Sequence, residues 1–564
     1  MCSIGVKIPN TQAAPNRFAF SSWFARFLDF FIVPYLIVVF AYEPNFASGF
    51  EDYFESGQYL SVINGIFHGQ IIYKDIFLLF GPLTYFGPVA AMTLFGKNLA
   101  VLRGFFLVTD ITALLMVYVI CRVLIQNRFF SYLASFLSVI EAHHPFWSTR
   151  WGGFRFVTAY IAILGILLFC AKKKKRYLFL AGVFSALAWL HSFEMGLFCY
   201  IAFLFFFVFY KTWGARQEAA FVPEILSYLG GSVFIFLPFI VYLIMHNAFL
   251  PWLKDLMSLG ARKALLGHFE LNEKNLLKIF FPGVIYFFSA TFSITQHKKN
   301  KNLKAAMLLS LSSFGFAFYL GSFRVSNGII DPHFMVIVPF SLIILFYLVE
   351  NIFNYLVETW RLGFRFNPKT VFLSLAFVLA VGYAIFSEKS NWGKSPTAFQ
   401  RWSKYQRLKD KIYPLYSGFD EASLRHVASS IERLKGSKLP EWQADEIETI
   451  SSYVTENTNK DDYLLAFPEM DFFNFVLDLP EVSRFYICGY AEMKPAWRLE
   501  LLQNIRKKKP KIVLVRNHLS NLARALNRDH ELLPEVSDFI VKNYKKTIET
   551  DGLTIYSLKE LDPI

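Results

Sequence analysis

Apolar runs of about 16 to 25 residues, each able to cross a hydrocarbon core of about 30 Å, recur from Leu28 to Phe386 and stop at Ser387. A soluble domain would have to bury every face of such helices, whereas a bilayer solvates them directly. Composition agrees: 18% of the residues are charged, against about 25% in ordinary soluble domains. The expected fold class is an α-helical polytopic membrane protein with about eleven transmembrane helices and a C-terminal soluble α/β domain. The expected divisions are an N-terminal cytoplasmic segment over 1–26, a membrane domain over 27–387 with a first outward loop at 43–98, and an outward soluble domain over 388–564.

The spans are expected near Phe27–Tyr42, Leu99–Leu124, Phe129–Ile140, Phe156–Ala171, Tyr177–Leu190, Leu197–Tyr210, Ile225–Met245, Ile279–Ile294, Ala305–Leu320, Phe334–Val349 and Val371–Phe386. Lys and Arg concentrate in the turns between them and set the orientation. Arg17 and Arg26 precede the first span, Arg122 and Arg128 follow the second, and Lys172–Arg176 is the densest cluster. Lys211 and Arg216, then Lys298, Lys299, Lys301 and Lys304, then Arg361, Arg365 and Lys369 fall on the same side. That side is read as cytoplasmic, with the tail outside and the chain in a plasma (inner) membrane. The net charge of +14 is therefore a topology signal, and nucleic acid is not an expected partner. The first run reads as a retained anchor. Ile76–Phe95 is long enough to span but holds Gly81, Pro82, Gly87 and Pro88, and is read as helices at the outer interface.

In the tail, Ser423–Leu434 and Glu441–Thr455 read as helices, and Tyr463–Phe467, Arg484–Ile487 and Lys511–Val515 as short buried strands. The tail has no GxGxxG, P-loop or nucleophile elbow, so no nucleotide site is expected. The cysteines Cys2, Cys121, Cys170, Cys199 and Cys488 form no CxxC pair. Glu141 with His143 and His144 matches no strong zinc spacing. The expectation is no cofactor and no metal site; a divalent ion is possible but not indicated.

Polar residues gather on the outward side. The first loop carries Glu51, Asp52, Glu55, Lys74 and Asp75, with Arg103 at the next span; later loops carry His143, His144, Arg150, Arg155, His191, Glu194, Lys254, Asp255, Arg262, Lys263, His268, Arg324, Asp331 and His333. Carboxylates of this kind can take a proton from an acceptor hydroxyl. Arg and Lys at a membrane surface can hold a phosphate. Each residue also has a plainer structural reading. Glu51, Asp52 and Glu55 fit a solvated loop face, Asp75 an N-cap at a helix starting at Ile76, Arg103 a carboxylate partner, and Asp110 a partner for a neighbouring helix.

The first loop also carries a family likeness. It runs from an acidic stretch through Gly69-x-x-x-Tyr73-x-Asp75 and Gly81-Pro82-Leu83-x-Tyr85 to Gly96 and Arg103. In this order it resembles the glycosyltransferase C superfamily, closest to bacterial relatives of the protein O-mannosyltransferases and the lipid A aminoarabinose transferases. The FEMGL turn (Phe193–Leu197), the Arg324…Asp331-x-His333 pattern and the tail segments YLLAFPE, RFYI and KPKIVLV extend the likeness over nearly the whole chain. The family's acidic motif is not matched residue for residue: the chain has Glu51-Asp52-Tyr53 and then Glu55-Ser56-Gly57-Gln58.

The resemblance implies a membrane glycosyltransferase that moves a sugar from a polyprenyl-phosphate carrier to a lipid, glycan or protein acceptor on the outer face, with inversion. The base is then a carboxylate of the first outward loop, Asp52 or Glu55 ahead of Glu51 and Asp75. The donor phosphate is expected on Lys74, Arg103, Arg324 and His333. The competing reading is a polytopic transporter or lipid flippase of an envelope-polysaccharide pathway, which would put charges or broken helices at mid-bilayer.

Overall fold

The computed structural model describes residues 22–142, 153–213, 221–260, 273–300, 303–322, 338–361, 425–518 and 533–559. The first helix, α1, joins Ser22–Phe27, a π-helical turn at Leu28–Ile32, and Val33–Ala41. It is followed by α2 (Tyr53–Phe67), α3 (Leu83–Phe95), α4 (Leu99–Leu124), α5 (Arg128–Ala142), α6 (Phe154–Lys172), α7 (Arg176–His191), α8 (Phe193–Trp213) and α9 (Phe221–Met245). Then come α10 (Phe249–Gly260), α11 (Glu273–Asn300), α12 (Leu303–Ser322) and α13 (Val338–Arg361). The expected spans fall on these helices as far as residues are described; Val371–Phe386 lies outside the described residues. Among the described residues, five helices are by themselves long and apolar enough to cross a membrane.

Their surfaces fit lipid. Phe30, Phe31, Tyr35, Phe234, Leu237 and Phe287 are exposed, which water would penalise and hydrocarbon does not. Between helices the contacts are close. A side chain at Gly182 on α7 would overlap the Tyr228 carbonyl of α9, so the missing Cβ lets the two backbones meet. Asp29 of α1 takes Arg122 of α4 (3.0 Å), Arg128 of α5 (3.1 Å) and the Tyr132 hydroxyl (2.7 Å). Two basic residues expected only as topology signals thus also tie three helices together.

The tail forms a mixed sheet in the order β3-β4-β6-β5, from β1 (His426–Ala428), β2 (Lys438–Pro440), β3 (Leu464–Phe467), β4 (Ile512–Arg516), β5 (Tyr544–Glu549) and β6 (Leu553–Leu558); β1 and β2 pair separately. β3 and β4 are parallel, and β6 is antiparallel to both β4 and β5. The helices are α14 (Glu441–Asn457), α15 (Phe472–Val476), α16 (Pro495–Lys508) and α17 (Pro534–Asn543). Two expectations are corrected. The helix expected at Ser423–Leu434 is β1 and a 3-10 turn at Glu432–Leu434, because His426–Ala428 pairs with Lys438–Pro440. The strand expected at Arg484–Ile487 is irregular: the Arg484 carbonyl accepts from Phe77 N–H (2.8 Å) and binds the first loop instead of a sheet.

The tail sits on that loop. Ser61 Oγ donates to the Asp471 carbonyl (3.1 Å), and Asn64 Nδ2 to the carbonyls of Asn474 (3.1 Å) and Leu479 (3.0 Å). Beneath this contact Asp471 and Glu481 are buried. Burial pushes both carboxyls well above the usual range, and the Glu481 charge pushes Asp471 further. The folded state therefore holds protons that the unfolded chain loses above its ordinary carboxylate pKa of about 4, and stability falls as pH rises through that window. Thermal unfolding of the whole protein should occur at a higher temperature near about pH 5 than near about pH 8. Asp471→Asn with Glu481→Gln should flatten that slope, and an unchanged slope would contradict the assignment.

Candidate active site

The first loop and the start of α2 separate the carboxylates by surroundings. Glu51 is fully buried and ion-paired with Arg103, itself 1% exposed. Ser56 Oγ donates to Glu51 Oε2. The Glu51 backbone is held by Gln443 of α14, which accepts from its N–H (2.9 Å) and donates to its carbonyl (2.7 Å). Glu51 and Arg103 thus link α4, the loop and the tail. Asp52 is the N-cap of α2, accepting from Phe54 N–H (3.0 Å) and Glu55 N–H (3.3 Å).

Glu55 stands half-buried one turn into α2. Gln58 Nε2 donates to its Oε2 (3.0 Å), and Tyr490 of the tail donates to Gln58 Oε1 (3.3 Å). Tyr490 fixes which end of the amide faces Glu55. On the same helix lies Tyr59; burial raises its phenol above the usual range, with Arg155 opposing the shift and Glu55 reinforcing it. Arg155, on the first turn of α6, lies over the Phe80 ring at 4.8 Å. Tyr59 packs against Phe80 (6.3 Å), Tyr85 (6.3 Å) and Phe106 (5.2 Å), and Phe106 against Phe154 (5.5 Å), which meets His191 edge-on at 5.3 Å.

The chain brings these together by local means. The short turn at Lys172–Arg176 makes α6 and α7 antiparallel, so Arg155 at one end faces the level of His191 at the other. The GPLT stretch clamps onto α7: Gly81 N–H (3.0 Å) and Thr84 Oγ1 (2.7 Å) both donate to the His191 carbonyl. A side chain at Gly81 would overlap the Leu190 carbonyl, which explains the glycine. The result is a carboxylate, a guanidinium and aromatic faces at the junction of α2, α6 and α7.

Asp75 and Lys74 lie elsewhere. Asp75 accepts from Ile71 N–H (2.9 Å), closing a loop in which Tyr73 has φ +64°. No helix starts at Ile76; the helix begins at Leu83, because residue 77 is held by Arg484. Lys74 is exposed and lines a cavity of about 610 Å³ shared with α10 and α16. Lys74 and Arg103 therefore occupy different surroundings. Arg324, Asp331 and His333 lie outside the described residues, as do His143, His144, Arg150, Arg262, Lys263 and His268. Among the described residues no three His, Cys, Asp or Glu side chains group to hold a metal.

Sequence reasoning missed Gln58, Tyr59 and Tyr490, and gave Arg155 no role. For Arg155 a signal existed: an arginine just inside a span, at the end away from the basic turn at Lys172–Arg176, departs from the clustering of Lys and Arg in the turns and marks a functional candidate.

No family model and no curated protein matches the chain. Solved structures do. The apo oligosaccharyltransferase of Archaeoglobus fulgidus aligns at TM-score 0.52 and 13% identity, over 96% of this chain and 76% of that one. ArnT from Cupriavidus metallidurans aligns at TM-score 0.51 and 11% identity in its apo state, over 95% and 97% of the two chains. Bound to undecaprenyl phosphate, the same protein aligns at TM-score 0.50 and 11% identity, over 96% and 98%. This multi-pass membrane chain shares its fold with these two enzymes.

Proposed function

We propose that the protein transfers a sugar from a polyprenyl-phosphate carrier to an acceptor hydroxyl on the outer face of a plasma membrane, with Glu55 as general base. The observation that carries this reading is the placement of Glu55, oriented by Gln58 and set with Arg155 around Tyr59. The fold shared with ArnT, which was solved with undecaprenyl phosphate, supports the carrier. The Glu55 carboxylate takes the acceptor proton as the acceptor oxygen attacks the anomeric carbon. The bond from that carbon to the phosphate oxygen breaks, and the phosphate leaves with the electron pair. Direct displacement inverts the anomeric centre. Arg155 offsets the charge that grows on the phosphate, with Arg324 and His333 as further ligands. Asp52 and Asp75 hold the backbone, and Glu51 with Arg103 braces the loop.

In this reading the N-terminus and Lys172–Arg176 are cytoplasmic, and Glu55 and the tail lie outside. The packing of the tail on the first loop supports their sharing a side. The test is product stereochemistry. Purified protein given undecaprenyl phosphate linked to a labelled sugar, together with hydroxyl-bearing lipid and glycan acceptors, should yield a glycoside of the opposite anomeric configuration. A retained configuration would overturn direct displacement.

Tyr490 is a positioning residue in this scheme. Tyr490→Phe keeps the ring contacts with Phe77 and Tyr486 but frees the Gln58 amide. It should lower kcat by roughly five- to tenfold, the value of one hydrogen bond, with donor KM and thermal stability unchanged. In a Gln58→Met background the same change should add nothing. Multiplicative losses would place Tyr490 outside the relay.

A further inference from the structure

Asp29 of α1 gathers more positive charge than one carboxylate neutralises. Its Oδ1 takes Arg122 Nε (3.0 Å) and the Tyr132 hydroxyl (2.7 Å), and its Oδ2 takes Arg122 Nη2 (3.3 Å) and Arg128 Nε (3.1 Å). A carboxylate offers about four acceptor sites, so Asp29 is saturated while both guanidinium groups have N–H donors left over. Arg122 Nη1 is enclosed and has no partner among the described residues. The Arg128 side chain is 47% exposed, and Arg26 stands exposed one turn before Asp29 on α1. The turn between α4 and α5 also meets Glu350 of α13. That carboxylate accepts from Gln126 N–H (3.2 Å) and Asn127 N–H (2.5 Å) and has the Lys304 charge acting on it. Arg26, Arg122, Arg128 and Lys304 thus stand against Asp29 and Glu350, and the accessible cations are Arg26 and Arg128.

The surroundings point to the kind of anion. Arg122 is in the last turn of α4, a helix long and apolar enough to cross a membrane, and Arg128 is the first residue of α5. Charged side chains at the end of a span lie at the level of lipid headgroups. Beside them α1 carries a ladder of rings: Trp23 stacks on Phe27 (5.5 Å) and Phe27 on Phe31 (5.6 Å). Trp23 and Phe31 are exposed, and so is Phe129 next to Arg128. Arginines beside exposed rings suit a molecule that brings a phosphate and acyl chains together, because a guanidinium holds phosphate oxygens through paired N–H groups. Free phosphate would use the arginines alone.

We propose that the junction of α1, α4 and α5 binds an anionic phospholipid, with its phosphate on Arg26 and Arg128 and its acyl chains along the aromatic ladder of α1. Arg122 contributes through its charge and keeps α4 on Asp29. The bound lipid relieves the repulsion among three arginines drawn from three helices, and so holds those helices together. A zwitterionic lipid does this poorly, because its own cation competes with the arginines for the phosphate. The site does not rest on the transferase reading.

The test measures binding and thermal unfolding on the full chain in detergent, with short-chain phosphatidylglycerol, phosphatidylcholine of the same chain length, and inorganic phosphate as probes. Phosphatidylglycerol should bind and raise the unfolding temperature, and phosphatidylcholine should bind about tenfold more weakly. Arg26→Gln with Arg128→Gln should weaken phosphatidylglycerol by about tenfold or more and leave phosphatidylcholine unchanged. Arg128 also holds Asp29, so Arg26→Gln alone is the control for folding; it should keep the Asp29 network and still weaken phosphatidylglycerol by about fivefold. Undiminished binding in Arg26→Gln and in the double variant overturns the site. Equal binding of the two lipids overturns the anionic headgroup, and phosphate binding as tight as phosphatidylglycerol's overturns a lipid as its source. Glu55→Gln should bind phosphatidylglycerol like the wild type, whatever that variant does to sugar transfer. A loss of binding there would put the lipid at the candidate active site and overturn its place at α1, α4 and α5.

Discussion

Glu55→Gln is expected to lower the rate of sugar transfer by about 10² to 10⁴, the usual contribution of a positioned general base. The amide keeps the size of the side chain and can still meet Gln58 by rotation, so α2 and its contact with the tail should survive. What it loses is the capacity to accept a proton. Donor affinity should hold, because the cation assigned to the phosphate, Arg155, is untouched. Comparison with the neighbouring carboxylates makes the test specific. Asp52→Asn retains an N-cap, a role that asparagine fills as well as aspartate, and should cost little. Asp75→Asn keeps an acceptor for Ile71 N–H and should also stay active. Full activity in Glu55→Gln together with loss in Asp52→Asn would move the base to Asp52. Rates are measured at saturating donor and acceptor, with thermal unfolding of each variant as the control.

Arg103→Ala should act on folding rather than on donor affinity. Removing one partner of a buried ion pair leaves the other charge without compensation, at a cost of about 3–5 kcal/mol. Here the stranded group would be Glu51, fully buried beneath the junction of α4, the first loop and α14. Glu51→Gln should be similarly harmful, since Arg103 would then be buried beside a neutral amide. The Glu51→Gln/Arg103→Met double variant should recover part of the loss, because an apolar or neutral replacement of both partners removes the stranded charge. Thermal unfolding and the monodisperse yield in detergent measure this. A well-folded Arg103→Ala protein whose donor affinity drops ten- to a hundredfold would instead support a phosphate-binding role.

The membrane architecture was legible because lipid imposes a long, one-dimensional signal. Leu99–Leu124 was expected as a span and is a helix over the same residues, opened by the Asn98 cap. β3 and β4 were legible because both read as continuous apolar runs, buried throughout in β3 and over Ile512–Leu514 in β4. RFYI has the same local character, yet its backbone partner is Phe77, far away in sequence. The helix expected near Ser423 failed for the same kind of reason, since a partner strand overrode its periodicity.

The site divides along the same line. That polar groups would gather near the first loop followed from topology. Which carboxylate does what did not, because Glu51, Asp52 and Glu55 differ only in what the fold sets against each of them. Arg103 claims Glu51, the helix N-terminus claims Asp52, and Gln58 with Tyr490, from the far end of the chain, orients Glu55.

The central claim is that the sugar leaves its carrier on this protein. It is tested most directly in vesicles that hold the purified protein and a panel of undecaprenyl-phosphate-linked, radiolabelled sugars, with hydroxyl-bearing acceptor lipids present. The account predicts that one such donor is consumed, that undecaprenyl phosphate appears in step with labelled acceptor, and that Glu55→Gln suppresses both. A donor that crosses intact to the other leaflet without loss of its sugar, as a flippase would move it, or consumption undiminished in Glu55→Gln, would contradict it.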